Sequence, residues 1–437
     1  MATEERGLGR LSHAWRALRH RNFRLFFVGQ SISLIGTWMT RLATGWLVYH
    51  LTHSALLLGV VGFAGQISSL LAGPFAGVWV ERIDRRKLLL ATQAAAAVQS
   101  FAMAALTLAH VITLWEVIVL AICQGLINAF DMPGRQAFLV RMVDDPNDLG
   151  NAIAINSSMV TGARLVGPAL AGLIIAAAGE GWCFVIDGVS YFAVIVSLLM
   201  MTVAVAAGPR REASMLREMR EGWDYVRASL PIRTILTLFA LMSLMGYSYS
   251  VLLPVFATEV LRGGANTLGW LTAASGAGAL ISALSLALRK SVFGLPRMIA
   301  VSGATLGASL VLFGLSHLLW LSLAAMVLVG FGLTQCASAS NTIIQSLVAD
   351  GMRARVMSYF TMSFFGAAPL GSLLAGFLAS RFGASIATST AGVFCLAGAV
   401  WFSFQLPTVN SAAAHVLATK GLAPATTDPI PARRRAA

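Results

Sequence analysis

The chain has 437 residues, 57% of them hydrophobic and only 11% charged, with a mean hydropathy of +0.77. Soluble proteins carry about 25% charged residues, so composition excludes a large water-soluble core and points to a chain that crosses a membrane many times. The net charge of +13 suits a nucleic-acid partner only if it forms one patch, and it does not.

About twelve spans are predicted, near 24–49, 56–80, 88–109, 114–140, 151–178, 182–206, 232–258, 267–288, 297–315, 319–347, 356–380 and 385–406. Each has roughly the 20 apolar residues a crossing needs. With the N-terminus inside, Arg41, Arg135 and Arg164 lie within spans and Arg262 and Arg381 on outer loops; the other 26 of the 31 Lys and Arg lie in or beside cytoplasmic segments. That bias sets the orientation, places both termini in the cytoplasm and accounts for the basic balance without nucleic acid. The apolar run after Arg24 is too long for the core of a cleaved signal peptide.

The first span carries Gln30, Thr37, Arg41 and Thr44 among apolar residues. The second and third are joined by a tight turn rich in charge, with the spacing Gly77-x-x-x-Glu81-Arg82-x-Asp84-Arg85-Arg86. Gly77 lets the second span approach a neighbour closely. Glu81 is placed to meet the positive N-terminus of a helix starting near Val356, and Arg85 or Arg86 to bridge to Asp144 or Asp145. Such contacts would close the inner face and break when two halves rock; the plainer reading is an exposed loop that sets topology.

In the fourth span Gln124, Asn128, Asp131 and Arg135 form one polar stripe. Lipid does not tolerate such a stripe, so it is expected to face a bundle interior. Pro133 is a place where this helix bends or ends. Asp131 is either a proton carrier or the partner of Arg135 or Arg164. The fifth span repeats the pattern with Ser157, Thr161 and Arg164, and Gly162, Gly167, Pro168 and Gly172 predict a bent, close-packed helix there. Asp187, early in the sixth span, reads as a structural or capping acid.

The insertion from Gly208 to Arg233 divides the spans six and six. Leu216, Met219, Trp223 and Val226 recur in it at helical spacing, which predicts an amphipathic helix on the inner leaflet. Beyond it come Tyr247, Tyr249 and Pro254 in the seventh span, Gln335, Ser338, Thr342 and Gln345 in the tenth, and Met357 and Phe360 in the eleventh. Together with the stripes of the first half they predict a water-filled cavity, charged on one side and aromatic on the other. The expected organisation is a cytoplasmic segment 1–23, a six-helix bundle 24–206, a linker with its helix 207–231, a second bundle 232–406 and a disordered tail 407–437. The halves read as a parallel repeat: Leu58-Gly59 matches Leu268-Gly269, Gln124 matches Gln335 and Pro168 matches Pro369.

Four scattered cysteines show no metal or redox spacing. There is no GxxxxGK[ST] phosphate loop and no HExxH, so no cofactor, metal or enzymatic activity is expected, and active transport would draw on an ion gradient.

Gly77–Lys87 resembles the loop 2–3 motif of the major facilitator superfamily, and Gly162–Gly172 resembles the antiporter motif of its drug exporters. Arg21–Ser54, Phe130–Val143 and Gln345–Ser358 resemble the secretion-effector branch of drug:proton antiporters, which includes enterobactin and macrolide exporters. The resemblance implies an all-α fold of twelve helices in two six-helix bundles, and an inner-membrane exporter of a bulky organic solute working by proton-coupled alternating access. It implies a gating role for the charged turn and a monomer whose partners are substrate, protons and lipid. Two departures stand out: Ala121 sits where the superfamily's fourth-span motif has Arg, and Glu81 where Asp is commoner. A lysolipid or lipid flippase, or a transporter-like sensor without antiport, is the alternative.

Overall fold

The computed structural model describes residues 16–143, 145–202, 215–289 and 294–419, apart from the side chains of residues 81 and 82 among a few others, and they form helices joined by short turns. Eleven helices there are long and apolar enough to cross a membrane. α2 is Ala55–Arg82, α3 Arg85–Leu108, α4 Leu114–Leu139, α5 Leu149–Ala178 and α6 Gly181–Met200. After the amphipathic α7 (Met215–Ala228) come α8 (Leu230–Val260), α9 (Ala265–Ala287), α10 (Leu295–Leu315), α11 (Leu319–Leu347), α12 (Arg353–Phe382) and α13 (Ala384–Thr419). α1 (Arg21–Thr52) is a twelfth helix of comparable length, made more polar by Gln30, Arg41 and its hydroxyls. Large apolar side chains point outward, with Phe75 72%, Trp320 82% and Phe404 78% exposed. On a water-soluble protein these would form adhesive patches; against lipid they are the required surface.

Local chemistry sets the ends of these helices. The Ser54 hydroxyl accepts from the Leu57 amide, and Asp84 accepts from the amides of Arg86 and Lys87. Thr113 and Glu116 form a capping box at the start of α4. Gly179 and Gly383, with φ of +88° and +87°, end α5 and α12 in a conformation that favours glycine.

The two halves use the same packing plan. α2 packs on α4, α3 on both α4 and α6, and α1 on α6; correspondingly α9 packs on α11, α10 on both α11 and α13, and α8 on α13. Between halves, α2 packs on α12 and α5 on α9, the pair that a two-fold axis along the bundle would exchange. The register is explicit. A Cβ on Gly59 would meet the Ser372 carbonyl at 2.7 Å, and one on Gly269 would meet the Pro168 carbonyl at 2.8 Å. Gly59 therefore corresponds to Gly269, as predicted, but Pro168 corresponds to Ser372 rather than to Pro369. The proline match is one helical turn out of register, because a proline marks a weak point in a helix without fixing its depth.

α4 continues through Pro133 to Leu139, over nearly the whole of the predicted span 114–140. Two further expectations change. α13 continues through Pro407 to Thr419, where a disordered tail was expected; one lost amide donor does not end a helix followed by Ala-rich sequence. α7 forms as the pattern predicts, and it docks on protein: Glu221 accepts from Arg355 at 2.6 Å, Tyr359 donates to the Met219 carbonyl at 2.8 Å, and Trp223 lies 5.8 Å from the Tyr359 ring.

Candidate functional site

A cavity of about 3170 Å³ runs between the halves. At the end bearing the Asp84–Lys87 turn, here the basic end, its lining reaches Gln136, Val140, Asn156, Glu218 and Arg355. Toward the far end it stops at Val48, Leu58 and Leu268. There the halves close on each other. Gly59 faces Gly376 and Gly172 faces Gly269, with a Cβ on either member of each pair landing within 3.1 Å of the partner's Cα. Tyr49 of α1 hydrogen-bonds Glu259 of α8 across the same end, and Gln66 of α2 donates to Ser372 of α12 at 3.2 Å.

One wall is polar. α1 contributes Thr37, Thr40, Arg41 and Thr44, α4 contributes Gln124, Asn128, Asp131 and Arg135, and α5 contributes Asn156, Ser157 and Arg164. Gln124 donates to Asn128 at 3.2 Å, and α4 can sit this close to α2 because Gly125 leaves room for the Gly65 carbonyl and the Ser68 hydroxyl. The other wall is aromatic and soft. Tyr247 meets Phe364 edge-on at 5.4 Å, and Phe364 in turn stacks on Phe239. Tyr247 follows a π-helical turn, Met242–Gly246, and Pro254 precedes a second, Phe256–Val260; such turns free backbone groups and re-aim side chains.

The structure separates the predicted site residues into three groups. Thr37, Arg41, Gln124, Asn128, Asp131, Arg135, Arg164 and Tyr247 do line the cavity. Gln335 and Thr342 do not. Gln335 is 4% exposed inside the second bundle, where its carbonyl oxygen accepts from Ser282 at 2.6 Å and Ser285 at 3.1 Å. Gln335 is therefore a hydrogen-bonded contact with α9, and Thr342 donates to the Ser338 carbonyl of its own helix at 2.9 Å. Thr161 also falls outside the lining and donates to the Ser157 carbonyl at 2.9 Å. In the helix-five motif, Gly167 packs on Trp38 and Ile35 of α1 and Gly172 on α9, while a Cβ on Gly162 would meet nothing within 4 Å.

In the charged turn, Asp84 caps α3. Arg86 donates to the Leu199 carbonyl at 2.8 Å, and Asp145 accepts from Asn147 at 2.9 Å; among the described residues no bridge joins Arg85 or Arg86 to Asp145, and a bridge to Asp144 falls outside them. Asp144, the surroundings of Gly77 and the side chains of Glu81 and Arg82 lie outside what the structure describes.

Two buried acids line the cavity, and their surroundings differ. Asp131 is 3% exposed and fully engaged: one oxygen accepts from Thr92 at 3.0 Å and Gln93 at 2.8 Å, and the other pairs with Arg135. Of the two sequence readings of Asp131, this geometry favours the ion pair. Asp187 is 1% exposed and has one hydroxyl donor, Ser100, at 2.9 Å; its other oxygen has no hydrogen-bond partner, and neither has the nearby Thr40 hydroxyl. No ion pair reaches Asp187 among the described residues. Breaking a buried pair costs about 3–5 kcal/mol, so Asp131→Asn is expected to lower the thermal midpoint of the purified protein by several degrees; an unchanged midpoint would show that the pair contributes nothing.

Sequence reasoning missed Trp38, Ser275 and the cavity position of Asp187. Trp38 sits between Thr37 and Arg41 on the polar face of α1, so its place was readable. Ser275, in a span of small residues, carried no signal.

The profile of the family described as transmembrane secretion effector matches residues 12–426. The staphyloferrin A transporter of Staphylococcus aureus is 27% identical over 87% of this chain and 95% of its own length. The multidrug efflux pump Tap of Mycolicibacterium fortuitum is 27% identical over 80% and 87%, and the enterobactin exporter EntS of Shigella boydii 24% identical over 85% and 89%. Among solved structures, a bacterial homologue of the human lysosomal transporter Spinster, inward-facing and occupied, superposes with a TM-score of 0.70 at 14% identity, covering 89% of this chain and 97% of the other.

Proposed function

From the premise that the chain belongs to the transmembrane secretion effector family of the major facilitator superfamily, and so is a multi-pass membrane transporter and not an enzyme, we propose that it exports a bulky organic solute by proton-coupled alternating access. The observation that carries this reading is the cavity open at the basic end and closed by paired glycine contacts at the far end. The positive-inside rule makes the basic end cytoplasmic, so cargo enters from the cell interior, with both termini on that side of the inner membrane. The protein works as a monomer, since cavity and seams are complete within one chain. Export follows when the α2·α12 and α5·α9 seams part and the basic end closes, where the charged turn of α2–α3 and the α7–α12 contact lie. The named relatives are a staphyloferrin A transporter, a multidrug efflux pump and an enterobactin exporter, and a cavity of this size admits cargo of each kind.

Of the two buried acids, Asp187 is the better proton carrier. Protonating it breaks no salt bridge, whereas protonating Asp131 releases Arg135 into a low-dielectric site. Everted vesicles acidified inside provide the test. Catecholates, macrolides, cationic dyes and lysolipids are added in turn, and collapse of the pH gradient is followed. One class of soluble cargo should dissipate the gradient only when the protein is present. If none does with folded protein, proton antiport falls; if lysolipid alone is moved, the flippase reading replaces it.

A further inference from the structure

The cavity holds two cations that the transport cycle sketched above does not use. Arg41 of α1 and Arg164 of α5 both line it, and their guanidinium carbons lie 5.1 Å and 5.7 Å from the centre of the same indole ring, Trp38. Neither has a carboxylate within ion-pair distance among the described residues. The acids nearby are committed elsewhere or unpaired with either arginine: Asp131 to Arg135, Glu218 to Arg355 at 3.6 Å at the rim, and Asp187, in the cavity lining, with no ion pair to Arg41 or Arg164. Arg164 has one weak hydroxyl acceptor, Ser275, at 3.3 Å, and Ser275 is shared with Tyr249 at 2.9 Å.

Two like charges gathered at one ring within a membrane are unfavourable unless something neutralises them. An indole face offsets part of that cost but satisfies few of the ten guanidinium N–H donors the two side chains carry. The guanidinium fork matches carboxylate, sulfonate and phosphate groups. We propose that Arg41, Trp38 and Arg164 form an anion-docking site, and that the cargo is a bulky organic anion whose acidic group binds there while its apolar body lies on the Tyr247–Phe364 wall. The proposal rests on the exporter reading and adds the substrate class to it.

The site is also well placed to report occupancy. A Cβ on Gly276 of α9 would meet the Arg164 carbonyl at 2.8 Å, so Arg164 stands where the α5·α9 seam begins. An anion drawing Arg164 from Ser275 removes one of the contacts that join the halves.

The test uses two dyes with the same xanthene rings and opposite charge, carboxyfluorescein and rhodamine 6G. Their binding to the full-length protein in detergent is read by fluorescence anisotropy. The intact protein should bind carboxyfluorescein more tightly. Arg41→Gln and Arg164→Gln should each weaken it about tenfold or more, with thermal midpoints unchanged. Arg41→Lys should recover only part of the affinity lost in Arg41→Gln, because it restores the charge without the fork, and Arg41→Gln should improve rhodamine 6G binding. A protein that binds neither dye, prefers the cation, or keeps its carboxyfluorescein affinity in both Gln variants overturns the site. Vesicle flux of the same dyes separates this from the exporter reading: rhodamine flux without an anion preference leaves export standing and removes the anion site, and carboxyfluorescein binding without flux of any cargo does the reverse.

Discussion

Asp187→Asn is expected to abolish proton-driven cargo accumulation while leaving equilibrium cargo binding intact. One pH unit is worth about 1.4 kcal/mol per proton, which sustains a roughly tenfold cargo gradient at one proton per cargo, and the variant should lose all of it. Asp187 is buried between α1 and α3, close enough to Gly36 that a Cβ there would lie 2.8 Å from a carboxyl oxygen. The groups at hand are hydroxyls: Ser100 from α3, Thr40 from α1, and Ser190 and Tyr191 from α6 itself. Under the proposed proton coupling such a carboxyl would exchange a proton without disturbing an ion pair, and Asn keeps its shape while removing the exchange. Asp131→Asn is the matched control, expected to be less stable and still coupled. Vesicle measurements of proton and cargo flux decide between them, and the opposite pattern would make Asp131 the carrier.

The contrast between these two acids shows how far sequence reasoning reaches. Helix number, the division into halves and the polar stripe of α4 all follow from local pattern, because a bilayer admits few solutions for a chain this apolar. The match of Gly59 with Gly269 was readable as well, since both stand at the start of a span beside a leucine. What could not be read was depth and partner. Asp131 could be read as a proton carrier or as the partner of Arg135 or Arg164; the donors from α3, Thr92 and Gln93, have no special spacing and could not be foreseen. Asp187 looked peripheral by its place near the start of α6, yet α1 extends far enough to cover it. Gln335 shares its motif context with Gln124, but α9 offers it Ser282 and Ser285, so one glutamine lines the cavity and its counterpart is core. Polar residues in a membrane bundle always need partners; whether the partner is a neighbouring helix or a cargo is a property of packing.

An anionic cargo also changes the energetics of export. With the cell interior negative, each negative charge carried out gains about 2.3 kcal/mol per 100 mV, so a divalent anion leaves with the potential even before a proton is exchanged. A cationic drug would work against the same field and depend wholly on protons. The residual transport of Asp187→Asn should therefore respond to membrane potential and not to the pH gradient.

Gly172→Leu is expected to reverse the sidedness of the cavity. A Cβ at Gly172 would meet the Ala265 carbonyl at 2.8 Å and the Gly269 Cα at 3.0 Å. These are backbone atoms, so no rotamer change relieves the clash. Overpacking of this kind costs about 1–3 kcal/mol, and 3 kcal/mol in the closed-far-end state alone shifts a two-state equilibrium by about a hundredfold. The intact protein carrying Thr44→Cys, in the cavity wall toward the far end, should react with a bulky impermeant maleimide from the basic side; with Gly172→Leu it should react from the far side, and transport should fall correspondingly. Gly162→Leu serves as control, because a Cβ there meets nothing within 4 Å, and it should label and transport as the parent does. If Gly172→Leu keeps the parent's labelling side and transport rate, the glycine seam is passive packing and the far end must be held by other contacts, of which Tyr49 to Glu259 is the first to remove.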